Sequence, residues 1–195
     1  MMRLDVRALL PWLLAGIAAA GSDTCWAGDW TAPVEVLHEH QRCISYRARL
    51  NGEFLEIQAT IEPGWHTFAM DNKQRAAVKL AGKRSLGIDA PTEISPAEGL
   101  ELAGPWYQPE PKDFSKPDLR WYSWGYEQEA RFVVKTRRSG PGPARIAIRG
   151  QACTETICKN IEVELSLPIE PLPAAAPEGL LKGLVEVLAP ETRSQ

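Results

Sequence analysis

Leu55, Ile57, Ala59 and Ile61 alternate with Glu56, Gln58 and Thr60, and the same beat returns over Ala144-Arg145-Ile146-Ala147-Ile148-Arg149. It is clearest at Ile161, Val163, Leu165, Leu167 and Ile169, spaced by Glu162, Glu164 and Ser166. A period of two sends successive side chains to opposite faces of an extended chain, so each run predicts a strand with one buried face. Ala130 to Thr136 is a further candidate, and Trp65-His66-Thr67-Phe68, set off by the turn residues Pro63-Gly64, opens another. Ser139-Gly140-Pro141-Gly142-Pro143 reads as a turn between two of these runs. From Lys79 to Pro117 the apolar pieces are broken by Pro91, Pro96, Pro105, Pro109, Pro111 and Pro117. Proline removes a backbone donor and clashes within a helix, so extended loops and short edge strands are expected there.

Many short strands, Gly and Pro turns and scarce helix predict an all-β fold, an antiparallel β-sandwich over residues 28–170. Residues 171–195 read as a Pro/Ala linker followed by a short helical tail. Pro168 to Pro177 is the linker, and Gly179 to Leu188 can place Leu180, Leu181, Leu184, Val185 and Leu188 on one side of a helix.

The N-terminal stretch follows a different rule. Arg3 and Arg7 precede an apolar run from Ala8 to Ala20, and a polar stretch ends in Cys25-Trp26-Ala27. Charged, apolar and cleavage-site segments in that order predict a signal peptide over residues 1–27, and the apolar core is short for a membrane span. The expected location is the periplasm, without stable membrane insertion. Formal net charge is −3, and Arg137-Arg138 and Lys83-Arg84 stand apart rather than forming a stripe, which argues against nucleic acid as a partner.

Export changes the meaning of the cysteines. Cys25 leaves with the signal, Cys43 is a spare thiol, and Cys153 and Cys158 are separated by four residues between two predicted strands. In an oxidising compartment such a pair forms a disulfide that is either a brace or a tool of exchange. Closing so short a loop removes little chain entropy, which makes it a weak brace. No cation lies among Thr154, Glu155, Thr156 and Ile157 to stabilise a thiolate, although Lys159 follows Cys158. His38, His40 and Cys43 form a loose cluster without a fourth ligand, so a buried lone thiol describes Cys43 better than a metal site. No metal or cofactor is expected.

The segment Ala144 to Ile169, with Cys153-Thr154-Glu155-Thr156-Ile157-Cys158 between alternating strands, resembles the N-terminal periplasmic domain of the DsbD thiol:disulfide interchange family. Ile61-Glu62-Pro63-Gly64-Trp65-His66-Thr67-Phe68 is similar to that family's strand, Gly turn and aromatic strand. Trp121-Tyr122-Ser123-Trp124-Gly125-Tyr126 falls where the family carries an aromatic cap loop. The resemblance implies an immunoglobulin-like sandwich in which Cys153 and Cys158 exchange disulfides, Cys158 bonding the partner first, beneath a cap drawn from Trp121, Tyr122 and Trp124. It implies as partner a thioredoxin-like periplasmic protein or a membrane electron conduit of the DsbD or CcdA type. Two departures stand out. Lys159-Asn160-Ile161 replaces the aromatic, proline-rich sequence that usually follows the second cysteine. A short tail stands where full-length members continue into a membrane conduit and a thioredoxin-like domain, so reducing equivalents are expected from a separate protein.

Overall fold

The computed structural model describes residues 28–85, 90–169 and 178–189. The expected signal peptide and most of the expected linker lie outside them. Among the described residues twelve strands run in the order β1 (Val34–His38), β2 (Gln41–Asn51), β3 (Phe54–Ile61), β4 (His66–Phe68), β5 (Glu93–Glu98), β6 (Leu100–Pro109), β7 (Lys112–Asp113), β8 (Trp124–Tyr126), β9 (Glu129–Arg138), β10 (Ala144–Cys153), β11 (Cys158–Leu167) and β12 (Leu184–Glu186). The helix α1 (Asn72–Leu80) follows β4, and a 3-10 turn covers Pro117–Leu119.

Both sheets have six strands: the one with the longer strands, here the larger, has the order β1-β2-β3-β9-β6-β12, and the smaller has β11-β10-β4-β8-β7 with β5 as its sixth strand, paired to β10. The named strand pairs are antiparallel, and the two sheets make the immunoglobulin-like β-sandwich expected from the sequence. Register explains the core. Ile44, Tyr46, Ala48 and Leu50 of β2 stand opposite Ile61, Ala59, Ile57 and Leu55 of β3, and Ala130, Phe132 and Val134 of β9 continue the row. Ile146, Ile148, Ile161 and Leu165 meet them from the smaller sheet, all buried. Each such aliphatic side chain contributes roughly 2 kcal/mol by leaving water.

Three elements differ from the expectation. The first hairpin reaches back to Val34, because Cys43-Ile44-Ser45-Tyr46 are all buried and carry no alternation to read. In the proline-rich stretch, β6 runs ten residues, with Pro105 falling where its register against β9 shifts between Leu102 and Trp106. Proline is tolerated where the ladder is already interrupted.

The third is a correction. Residues 178–183 form turns and Leu184–Glu186 is a strand on the edge of β6, so the tail expected to be helical is extended instead. Gly179 and Gly183 sit at φ of 81° and 77°, outside helical space, and Leu184 and Val185 pair with Pro109 and Gln108. The segment is anchored by Val187 N–H donating to Trp106 O at 2.9 Å and Leu188 N–H to Asp71 Oδ2 at 3.3 Å.

Candidate functional site

The β10–β11 hairpin sets Cys153 directly opposite Cys158, and the two sulfurs are bonded, with Cα atoms 4.1 Å apart. The tip is closed by Thr154 N–H donating to Ile157 O at 2.8 Å. The Thr154 hydroxyl oxygen accepts from the N–H groups of Thr156 and Ile157. A threonine that satisfies the turn through its side chain is a local reason for the chain to reverse here.

The pleat decides which way the sulfurs point. Ala144, Ile146, Ile148 and Ala152 belong to the core between the sheets, so Cys153, one position on, lies on the outer face of the smaller sheet. Cys158 shares that face because it is Cys153's register partner. The two are unequal in access: Cys153 is 2% exposed, whereas Cys158 is exposed.

On the other side of β10, β4 sets Thr67 opposite Ala152 and His66 opposite Cys153. Thr67 is fully buried, and its hydroxyl donates to Gln151 O at 2.9 Å. His66 and Phe68 take the outer face with Cys153. The imidazole meets Phe68 edge-on at 5.3 Å and stacks on Phe114 at 5.0 Å with 28° between the planes. It hydrogen-bonds to none of the described residues. Burial pushes its pKa below the ordinary 6.5; Lys116 acts in the same direction, while Glu127 opposes both.

Phe114 opens the loop between β7 and β8, which is built rather than slack. Phe114 N–H donates to Ser123 O at 2.8 Å, Lys116 N–H to Trp121 O at 2.7 Å, and Trp124 N–H to the Asn72 side-chain oxygen at 2.8 Å. Lys112 lies 5.2 Å from the Phe114 ring centre and pairs with Glu127 at 2.8 Å.

The expected cap residues are distributed differently from one another. Trp124 lies in the core, 8% exposed, on the face of β8 away from the cysteines, and Tyr122 packs against the same core. Trp121 forms a bridge with Lys116, whose ammonium is 5.3 Å from its ring. Phe114, in the same loop, stacks on His66, the register partner of Cys153. Neither residue was singled out in the sequence, although the alternation of His66 and Phe68 within Trp65-His66-Thr67-Phe68 puts both on one face. The register that brings this face to Cys153 joins distant segments and has no local signal.

Cys43 is buried and outside the disulfide, and burial pushes its thiol pKa up. Its sulfhydryl faces Gln41 O at 3.8 Å. His38 packs edge-on to Trp65 at 5.9 Å, and among the described residues no three His, Cys, Asp or Glu side chains converge as a metal-binding set.

An exposed sulfur bonded to a sheltered one, at a hairpin tip beside an aromatic loop, is a geometry for attack from one side. Residues 34–169 match the family described as thiol:disulfide interchange protein DsbD, N-terminal. The chain belongs to this DsbD N-terminal family. Among solved structures it is similar to the Neisseria meningitidis DsbD N-terminal domain in the reduced form, at 12% identity over 64% of this chain and 83% of that one, with a TM-score of 0.42. It is also similar to the GAE domain of GGA2p from Saccharomyces cerevisiae, at 6% identity over 70% of this chain and 98% of that one, with a TM-score of 0.31. No curated protein matches it. Within the DsbD N-terminal family assignment, no helix among the described residues is long and apolar enough to cross a membrane.

Proposed function

We propose that this chain is a periplasmic thiol:disulfide exchange module, exported by residues 1–27, that relays reducing equivalents through Cys153 and Cys158. The donor is a thioredoxin-like protein or a membrane conduit of the DsbD or CcdA type, and the acceptors are periplasmic proteins. The observation that carries this reading is the inequality of the two sulfurs across one cross-strand bond. A partner thiolate can approach Cys158, which is exposed, while Cys153 is held back at 2% exposure. Attack on Cys158 forms a mixed disulfide and frees Cys153, which later returns to resolve it.

Phe114 takes the cap role in this proposal. Stacked on His66, it limits access to the sheltered sulfur, and a partner displaces it on docking. Ile157, exposed at the hairpin tip beside Cys158, supplies an apolar contact for that partner.

The test is the reduction potential of the pair in the mature protein, followed by trapping a partner in its disulfide form on a Cys153→Ala variant, whose lone Cys158 thiolate attacks the partner's disulfide and releases the partner's second sulfur as a thiol. A potential in the range of exchange proteins, with a mixed disulfide at Cys158, is the expected result. A potential below about −300 mV with no trapped partner identifies a brace instead, and the protein as a β-sandwich interaction module.

A further inference from the structure

We infer that His66 is the proton carrier for Cys153, protonating this sulfur as it leaves the disulfide and taking the proton back when Cys153 resolves the mixed disulfide. The inference deepens the exchange function proposed above and rests on it.

Three observations converge. First, His66 and Cys153 are register partners on adjacent antiparallel strands, so their side chains leave the sheet on the same face with Cβ atoms about 5 Å apart. Second, Cys153 is 2% exposed, so a thiolate released there has little water to stabilise it. The cation nearest the pair in sequence, Lys159, is opposite Ala152 in register and so projects to the other face, where its charge acts on Cys43. Third, the imidazole is held by its ring, between the edge of Phe68 and the face of Phe114, while its nitrogens hydrogen-bond to none of the described residues. A ring fixed by stacking, with uncommitted nitrogens, can accept and release a proton without reorganising.

The surrounding charges bracket that task. Glu127, beyond β8, favours the imidazolium, and Lys116, in the loop above, disfavours it. Lys112 on β7 is paired with Glu127 and so draws part of that carboxylate's charge away. Burial sets the balance toward the neutral ring near neutrality, the form needed to take a proton from a thiol.

The chemistry balances. A partner thiolate attacks the Cys158 sulfur, and a new S–S bond joins partner and Cys158. The electron pair of the broken bond goes to the Cys153 sulfur, and His66, having taken up the proton that the partner thiol releases on ionising, delivers it there and returns to neutral imidazole, leaving a thiol. The partner's second thiol then displaces Cys158, completing a two-electron transfer from a dithiol to the disulfide. In the opposite direction neutral His66 takes the Cys153 proton as this sulfur attacks Cys158 and expels the partner thiolate. Fast thiol exchange depends on the basicity of the leaving sulfur, and protonating a sheltered one removes that penalty.

Two measurements on the mature protein test this. The first follows the His66 ring signals by proton NMR against pH in the oxidised protein and after phosphine reduction. The second measures exchange with dithiothreitol from pH 5 to 9 in wild type and His66→Gln. The expected results are a His66 titration that moves when the disulfide opens, and an exchange rate about 100-fold lower in His66→Gln near neutrality. The variant should also lose the wild-type pH limb while keeping its equilibrium with dithiothreitol within about twofold of wild type. A titration identical in both redox states overturns the carrier role, and this readout needs no variant to fold. So does a folded His66→Gln that matches wild type in rate and pH profile. A wild type that fails to exchange with any dithiol overturns the exchange function and the carrier role together, whereas a wild type that exchanges over an unshifted His66 overturns the carrier role alone.

Discussion

Each sheet carries a sheltered cluster on its outer face, away from the core, and the two clusters are finished in opposite ways. Behind the larger sheet, Glu56 is 1% exposed and both its oxygens are occupied. Oε2 accepts from Arg49 at 2.8 Å and from the Asn51 amide, and Oε1 faces Arg131 at 3.4 Å. Trp30 lies under Arg47 and Arg49, at 4.6 and 4.3 Å, on a segment fastened by Gly28 and Thr31 N–H groups to β2. Behind the smaller sheet, Cys153, His66, Phe68 and Phe114 form a cluster whose imidazole makes ring contacts and no hydrogen bond among the described residues. A buried polar group whose valences are all met adds order and is chemically spent. A half-buried group held by ring contacts keeps its nitrogens free of such obligations.

The sharpest way to break the comparison is to remove the exposed sulfur of the disulfide. Cys158→Ser should abolish exchange with a dithiol while costing about 2 kcal/mol of folding free energy, the closure entropy of so short a loop. Exchange kinetics and a urea melt of the same sample separate the two. Glu56→Ala should do the reverse. Leaving Arg49, Arg131 and Asn51 without their acceptor should cost about 3 kcal/mol in urea unfolding and leave the exchange rate within about twofold.

Gly125→Ala links the two properties. An added Cβ at this position would stand 2.0 Å from the Thr67 carbonyl oxygen, a backbone atom that cannot swing aside. The β4–β8 pairing must open, with an expected loss of about 2 kcal/mol or more and a slower exchange as His66 leaves its register. Retained stability with normal exchange in that variant would show that β4 can shift without disturbing the cysteine face.

The smallest effect is a pH dependence. His66 titrates below its ordinary 6.5 in the folded chain because it is buried, so just under that pH the unfolded chain binds more protons than the folded one. The stability held by the neutral ring is therefore present above 6.5 and is lost as the pH falls through 6.5 toward the lowered folded value. Urea midpoints should decline over this acid range in wild type and less steeply in His66→Gln. Parallel declines would assign the acid sensitivity elsewhere.

What the sequence disclosed follows from how each segment is buried. β3, β9, β10 and β11 have one face in the core and one toward polar surroundings, and their alternation is legible by eye. Glu56 fits that alternation yet is buried, because a second layer built from Trp30 and the arginines covers a face expected to meet solvent. β2 is covered on both sides over Cys43–Tyr46 and so has no alternation there. The tail carries apolar spacing that suits a helix, but two glycines at positive φ and an open edge on β6 turn it into a strand. At the site, the cysteine pair was legible because its partners are near in sequence. The placement of His66, and of Phe114 stacked on it, beside Cys153 was not, because it comes from the pairing of β4 with β10 across most of the domain.

That pairing has a consequence for how such a site can vary. In a pleated sheet the side chain opposite Cys153 is determined by parity. A one-residue insertion absorbed within β4 would present Thr67 or Trp65 to the sulfur and turn the imidazole toward the core, while a two-residue change would keep the face and alter only the occupant. Homologous chains that carry a histidine at position 66 should therefore also keep the length between Gly64 and Phe68. Loops that vary by odd numbers of residues belong elsewhere in the fold, and the spacing from the Pro63-Gly64 turn to this strand acts as a ruler for the chemistry.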